Sequence, residues 1–394
     1  MAELVSSSES LKTLHFSTTC NLTTLVGDFS TVNKSHPLTT LTIKANLICE
    51  QDIRMMLQQC QELRRLVMDG CERSVFHPIT YVSHNLSILA CNYEGSDVPE
   101  LQKAKDENGN GTGLSMLYTG RWNIINYSLP TAAIYPLLYK NMKSLKIIHC
   151  YLSEWSLHDQ HYFLRMYPNF KLEKLVTLKT SWQANTLLPF LLQQITSAEM
   201  LVTLSVTNIG SINGLVDLIM NLRRPPKTLQ LHKIIDGSLT DTASYIRLIE
   251  RYKKPFISLN CLVLDDCSGV TDSVLSSLSK LNSLNNVAFL RLNLITNSGI
   301  QEFMSTCSEK LSRITLVEMN SITNEVLTTL RRFDRLSYLG LESLRYATDQ
   351  GIQGLVDEKV NFKLAELSIK KCRLVTHECI IHLKNKVKTV VYET

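Results

Sequence analysis

Eleven cysteines and ten histidines are the side chains of this chain most able to do chemistry. No two cysteines are spaced Cys-x-x-Cys. A recurring turn position takes Cys71, Cys267 and Cys372, helix ends take Cys60 and Cys307, and strand patterns take Cys91 and Cys150. Spacing therefore reads them as packed thiols rather than as a metal or redox set. His158 and His161 stand three residues apart and could share a ligand, with His149 one strand earlier as a third donor. The same pair also fits a solvated outer helix face. No GxxxxGK[ST], GxGxxG after a strand, HExxH or GxSxG occurs. Asn108-Gly109-Asn110-Gly111 has no Lys-Ser/Thr behind it and reads as a loop. No Arg or Asn stands out for transition-state work on a nucleotide. These residues predict no enzyme, no cofactor and no metal.

Binding remains, and binding needs a surface built by repeated elements. Leu259-x-x-Leu262-x-Leu264-x-x-Cys267-x-x-Val270-Thr271-Asp272 is one unit. The offsets recur from Leu284, Leu311, Leu336 and Leu364, at spacings of 25, 27, 25 and 28 residues. The alternating apolar end predicts a strand with one buried face. The Cys, Leu or Met three residues on predicts a buried turn. Thr271, Thr296, Thr323, Thr348 and Thr376 are each followed by Asp, Asn or His and read as helix caps. Apolar residues four and seven positions after each Thr, from Leu275 and Leu278 to Ile380 and Leu383, make one helical face.

Further starts fit at Leu11, Leu38, Leu63, Leu86, Leu114, Leu145, Leu172 and Leu201, through Leu229 and Leu231, and at Val387. At about 26 residues per unit the 394 residues make about 15 repeats. The reading is one domain over 1–394, most regular over 259–394. Lys103 to Gly113 is a polar surface loop, and Ser238 to Lys253 has room for a longer helix. With 44% hydrophobic and 20% charged residues the chain is globular, not disordered. A net charge of +5 is too mild to mark a nucleic-acid binder.

No secretory signal opens the sequence, and no apolar run reaches the ~18–20 residues of a membrane span. The scattered, odd-numbered cysteines suit reduced thiols in the cytoplasm or nucleus. The sequons at Asn21, Asn33, Asn85, Asn110 and Asn126 then read as chance matches.

LxxLxLxxCxxITDxxL resembles the signature of the cysteine-containing leucine-rich repeat. That repeat is typical of F-box proteins, which select substrates for cullin–RING ubiquitin ligases. Met56 to Cys71 and Phe303 to Leu311 match its extended form, in which a Cys ends one helix and leads into the next strand. The resemblance implies an α/β leucine-rich repeat solenoid, curved and right-handed, with a parallel sheet on the concave face. It implies a non-enzymatic recognition scaffold that binds a protein substrate or regulatory partner as a monomer. The F-box that docks the ligase adaptor normally precedes the repeats. The first strand pattern here begins at Leu11, so an adaptor is a partner only if an F-box lies upstream. The alternative is a stand-alone regulator that binds and blocks a signalling partner.

Positions two, four and six after each start point away from the helices. Among them Arg313, Tyr338, Glu342, Glu366 and Lys370 form a mixed-charge set with one aromatic, read either as partner-binding or as a solvated face. The Lys103–Gly113 loop is the competing site. The basic run from Lys370 to Lys388 reads as a solvated end.

Overall fold

The computed structural model describes residues 10–19, 37–82, 85–91, 113–119, 131–150, 165–167, 169–181, 196, 198–234, 239–356 and 364–393. The chain divides into two compact units, Met1–Leu201 and Val202–Thr394. The first contains β1 (Thr13–Ser17), β2 (Thr40–Ile48), β3 (Arg65–Cys71), β4 (Ile88–Cys91), β5 (Met116–Thr119), β6 (Ile147–Cys150) and β7 (Thr177–Ser181). Each pairs in parallel with the next. Helices α1 (Glu50–Gln59), α2 (Phe76–Val82) and α3 (Thr131–Lys140) return the chain between strands.

The second unit is more regular. Its strands are β8 (Thr203–Ile209), β9 (Thr228–Ile234), β10 (Cys261–Cys267), β11 (Asn286–Leu290), β12 (Arg313–Val317), β13 (Tyr338–Glu342), β14 (Glu366–Lys370) and β15 (Thr389–Glu393). They too run parallel in sequence order. The helices are α4 (Ile212–Asn221), α5 (Leu239–Tyr252), α6 (Asp272–Leu278), α7 (Asn297–Thr306), α8 (Asn324–Thr329), α9 (Asp349–Leu355) and α10 (His377–Lys384). A parallel strand pair needs a crossover, and one helix per repeat supplies it.

The core follows the repeat offsets. In the five C-terminal repeats every leucine-type strand position and every paired helix position from Leu275 to Leu383 is buried. Cys60 and Cys307 end α1 and α7, each donating its N–H to the carbonyl four residues back at 2.9 Å. The other thiols of the sequence reading, Cys71, Cys91, Cys150, Cys267 and Cys372, are buried too. Burial pushes Cys60 up to about 11 and Cys150, Cys267 and Cys307 up to about 12, so these thiols are protonated and unreactive at neutral pH.

One register differs from the sequence reading. The repeat assigned to Leu172 starts at Leu175, because β7 begins at Thr177, two residues beyond it. Leu175, Leu178 and Thr180 are the inward positions, and Leu172 holds the place that Cys60 takes before β3. A threonine in the third apolar slot hid the true start.

The turn after the strand has a backbone cause. Asn208, Lys233, Asp266, Arg291, Glu318, Ser343 and Lys371, all seven residues after a start, have φ between 50° and 58°, and Gly70 has φ 85° at the same offset. A left-handed residue there breaks the two-residue alternation, so the following Cys, Leu, Ile or Met turns inward. Its N–H still donates to the next strand: Arg291 to the Val317 carbonyl at 2.9 Å and Ser343 to that of Lys370 at 2.8 Å.

The five threonines stand at the helix N-caps as expected, but most do not cap with their side chains. Only Thr296 and Thr376 accept a backbone N–H of their own helices, from Gly299 at 3.0 Å and Cys379 at 3.3 Å. The following Asp or Asn instead ties each repeat to the next. Asp272 accepts from the Thr296 N–H and hydroxyl at 2.9 and 2.6 Å. Asn297 does so from Thr323 at 3.2 and 3.0 Å, and Asp349 from Thr376 at 2.7 Å each. Asn324 accepts from the Thr348 N–H and donates to its hydroxyl. Gly299 and Gly351 make room for this ladder, since a Cβ there would lie 1.9 Å from Asp272 Oδ1 and 2.1 Å from Asn324 Oδ1.

Thr323→Ala and Asn297→Ala should therefore each cost about 1 kcal/mol, the usual worth of such a bond. Together they should cost less than the sum, because both remove one linkage. Thermal melts of the two variants and their combination check this. Fully additive losses would mean that each side chain acts within its own repeat.

Candidate functional site

The sheet face away from the helices is built by three cross-strand rows in the second unit. The β-strand register places Cys261, Asn286, Arg313, Tyr338, Glu366 and Thr389 in one row. Val263, Ala288, Thr315, Gly340, Ser368 and Val391 form the middle row, and Asp265, Leu290, Val317, Glu342, Lys370 and Glu393 the third. From β11 to β14 the middle row carries only small side chains. It is a shallow lane between two taller rows.

The five site residues of the sequence reading fall on both sides of this lane. Arg313, Tyr338 and Glu366 are consecutive on one side, and Glu342 and Lys370 are neighbours on the other. Residues four apart on a strand are about 13 Å apart, so the five make two flanks rather than one cluster. Lys370 reaches outward, with its Nζ 3.7 Å from a Glu393 carboxylate oxygen.

Arg313 and Tyr338 form the most ordered feature. The Arg313 guanidinium lies 4.1 Å from the centre of the Tyr338 ring. Such an exposed stack contributes about 0.5–1 kcal/mol and holds the guanidinium in place. The seat for the ring is Gly340, where a Cβ would come within 3.0 Å of the Tyr338 hydroxyl and 3.3 Å of Thr315 Cγ2. Sequence reasoning missed Gly340. A glycine between Leu339 and Leu341 was the available signal, since glycine inside a strand marks a close approach. Arg313 is exposed and has no carboxylate in salt-bridge reach among the described residues. Its planar, oriented donors suit an incoming carboxylate. Two strands away, burial raises the Cys261 thiol above its ordinary value while the Arg313 charge opposes the shift.

A second polar group closes the third row upstream. Asp265 is nearly buried and is held from both sides, by His232 Nδ1 at 3.1 Å and by the Arg291 guanidinium. The Asp265 carboxylate is engaged on both oxygens, so the group fixes the face rather than offering a free anchor.

In the first unit the same face is different. Ala90, Tyr118 and His149 occupy the middle-row positions of β4, β5 and β6, yet all three are buried. Ile88, Met116, Ile147 and Val67 pack around them. The expectation that these strand positions are exposed fails here, because the side chains are apolar or aromatic and pack together. His149 stacks edge-on to Tyr118 at 4.6 Å. Burial, with the Lys179 charge adding to it, lowers its pKa to about 3.

His158, His161 and residues 103–112 of the competing loop lie outside the described residues. Among the described residues, no three His, Cys, Asp or Glu side chains are placed to hold a metal ion. No helix among them is long and apolar enough to cross a membrane.

No protein-family model matches the sequence. No curated protein matches it either. Among solved structures, a chain of the yeast Rad7 and Elc1 complex is similar, with a TM-score of 0.56 and 18% identity over 89% of this chain and 80% of that one. A chain of the mouse RP105/MD-1 complex aligns more loosely, with a TM-score of 0.38 and 12% identity over 91% of this chain and 65% of that one. The fold is an α/β leucine-rich repeat solenoid.

Proposed function

We propose that the protein is a non-enzymatic scaffold that recognises another protein on the open sheet face of its second unit. The observation that carries this reading is the Arg313–Tyr338 stack, seated on Gly340, with no carboxylate in salt-bridge reach among the described residues. A pre-positioned guanidinium loses little freedom on binding, which is how rigid repeat surfaces gain affinity. The partner presents an acidic group to Arg313 and an extended or small-sided segment to the lane. Glu342, Glu366 and Lys370 then discriminate by charge on the flanks.

In this reading 1–394 acts as a single repeat domain, in the cytoplasm or nucleus, with its buried thiols reduced. The finer proposal is that it is the substrate-recruiting repeat region of an F-box-type ubiquitin ligase receptor. The cysteine-containing repeat pattern supports it, as does a structural neighbour solved as a complex of two proteins. The rival is a stand-alone regulator that blocks its partner. Affinity purification of the natural full-length product from its own cells separates them. Recovery of cullin and adaptor subunits in stoichiometric amounts is expected for the ligase reading. Recovery of a partner without either subunit leaves the stand-alone regulator.

A further inference from the structure

The turn between α5 and β10 holds an aromatic ring that the fold does not use. Ile257 N–H donates to the Lys254 carbonyl at 3.3 Å, closing a four-residue turn with Pro255 and Phe256 in its middle. Phe256 has φ 65°. Pro followed by a positive-φ residue is the arrangement of a type II turn, whose third position is normally glycine. A bulky residue there is strained. The strain purchases no packing, because Phe256 is 108% exposed relative to a free residue.

The turn segments around the ring carry basic charge, and the nearby Glu250 of α5 is paired with Lys253. Arg251 donates to the Leu222 carbonyl at 2.8 Å and the Tyr252 hydroxyl to that of Pro226 at 3.0 Å, tying this turn to the one before β9. Ser283 exchanges hydrogen bonds with Leu259 at 3.0 Å, tying it to the turn before β11. Residues 222–227, 253–260 and 279–285 carry six Lys or Arg and no carboxylate. Lys253 is engaged by Glu250 of α5, while Arg224, Lys227, Lys254 and Lys280 are exposed.

We propose that this rim docks on an anionic lipid surface, with the Phe256 ring entering the headgroup boundary and the flanking cations facing acidic lipids. A single projecting ring amid cations suits a fluid, acidic, shape-tolerant surface. A protein pocket would ask for apolar neighbours and charges of both signs around the ring. Docking of this kind needs no membrane-crossing helix, since the protein lies on the surface. The rim is independent of the sheet face, so either proposal can fail alone.

The test is co-sedimentation of the full chain with phosphatidylcholine vesicles, with and without phosphatidylserine, at low and high salt. Binding is expected only with phosphatidylserine, weakening as salt rises. Phe256→Gly should weaken it about tenfold. Because glycine suits the turn, that variant should melt no lower than the parent, so a loss of binding is not a loss of fold. Arg224→Glu with Lys254→Glu should abolish it. Equal binding by Phe256→Gly and the parent would overturn the proposal. So would binding to pure phosphatidylcholine, no binding at all, or tighter binding to a single-stranded oligonucleotide than to the vesicles.

Discussion

Gly70→Ala should destabilise the protein by about 3 kcal/mol or more, the largest effect expected of a one-methyl change here. Gly70 sits at the left-handed position after β3, with φ 85°. A Cβ there would lie 1.9 Å from the Ala45 carbonyl oxygen and 3.0 Å from its carbon. That oxygen belongs to backbone of β2, where the pairing with β3 shifts register between Lys44 and Ile48. Neither partner can rotate away as a side chain could. The matching site in the second unit behaves differently, since Ser343 already tolerates φ 53° with a Cβ. Ser343→Gly should be close to neutral. Urea titrations of both variants check the pair, and a Gly70→Ala midpoint equal to the parent's would mean that β2 does not approach as described.

His149 should make the protein acid-sensitive. Its pKa in the fold is about 3, against an ordinary value of 6.5. Neither ring nitrogen finds a hydrogen-bond partner among the described residues. The folded state therefore holds a neutral ring, while the unfolded state takes up a proton below about pH 6.5. Between those two values the unfolded chain binds more protons, so stability falls as pH falls. From pH 7 to pH 5 this one group should remove about 2 kcal/mol. Down to pH 5 the loss is set by the unfolded-state value. His149→Leu removes the titration and the two unpaired nitrogens and should flatten the stability profile over that interval. Equal pH slopes for the variant and the parent would show that His149 is solvated.

Much of this architecture is legible in the sequence because the apolar offsets are physical necessities. Each strand must bury alternate residues and each helix one face, so Leu262, Leu264, Leu275 and Leu278 announce their repeat. Legibility ends where the requirement falls on backbone or on a neighbouring repeat. The left-handed position after each strand is filled by Lys233, Arg291, Glu318, Ser343 and Lys371 as well as by Gly70, Asn208 and Asp266, so residue type does not announce positive φ there. The Asp or Asn after each threonine looks like the start of a helix, and its task of bonding the next repeat appears only once the repeats are stacked. At Leu175 the usual apolar third position is Thr180, and the register slipped by three residues.

The site was legible in the same partial way. Strand offsets put Arg313 beside Tyr338 and Glu342 beside Lys370, and the register places them so. Offsets did not show that the lane separates the two pairs or that Gly340 seats the ring. They also did not show that the corresponding face of the first unit is packed with Tyr118 and His149.

Binding of a protein partner by the open face around Arg313 is open to direct measurement. Its most direct measurement starts from a partner recovered by crosslinking with the parent chain. The affinity of that purified partner is then measured for Arg313→Glu with Tyr338→Ser, and for a control reversal at Glu378, which is exposed on α10. Truncating an anchor pair of this kind should weaken binding at least about thirtyfold, or 2 kcal/mol, with an unchanged melt. The Glu378→Lys control should bind as the parent does. Undiminished affinity of the double variant, in a protein that melts like the parent, would contradict the account.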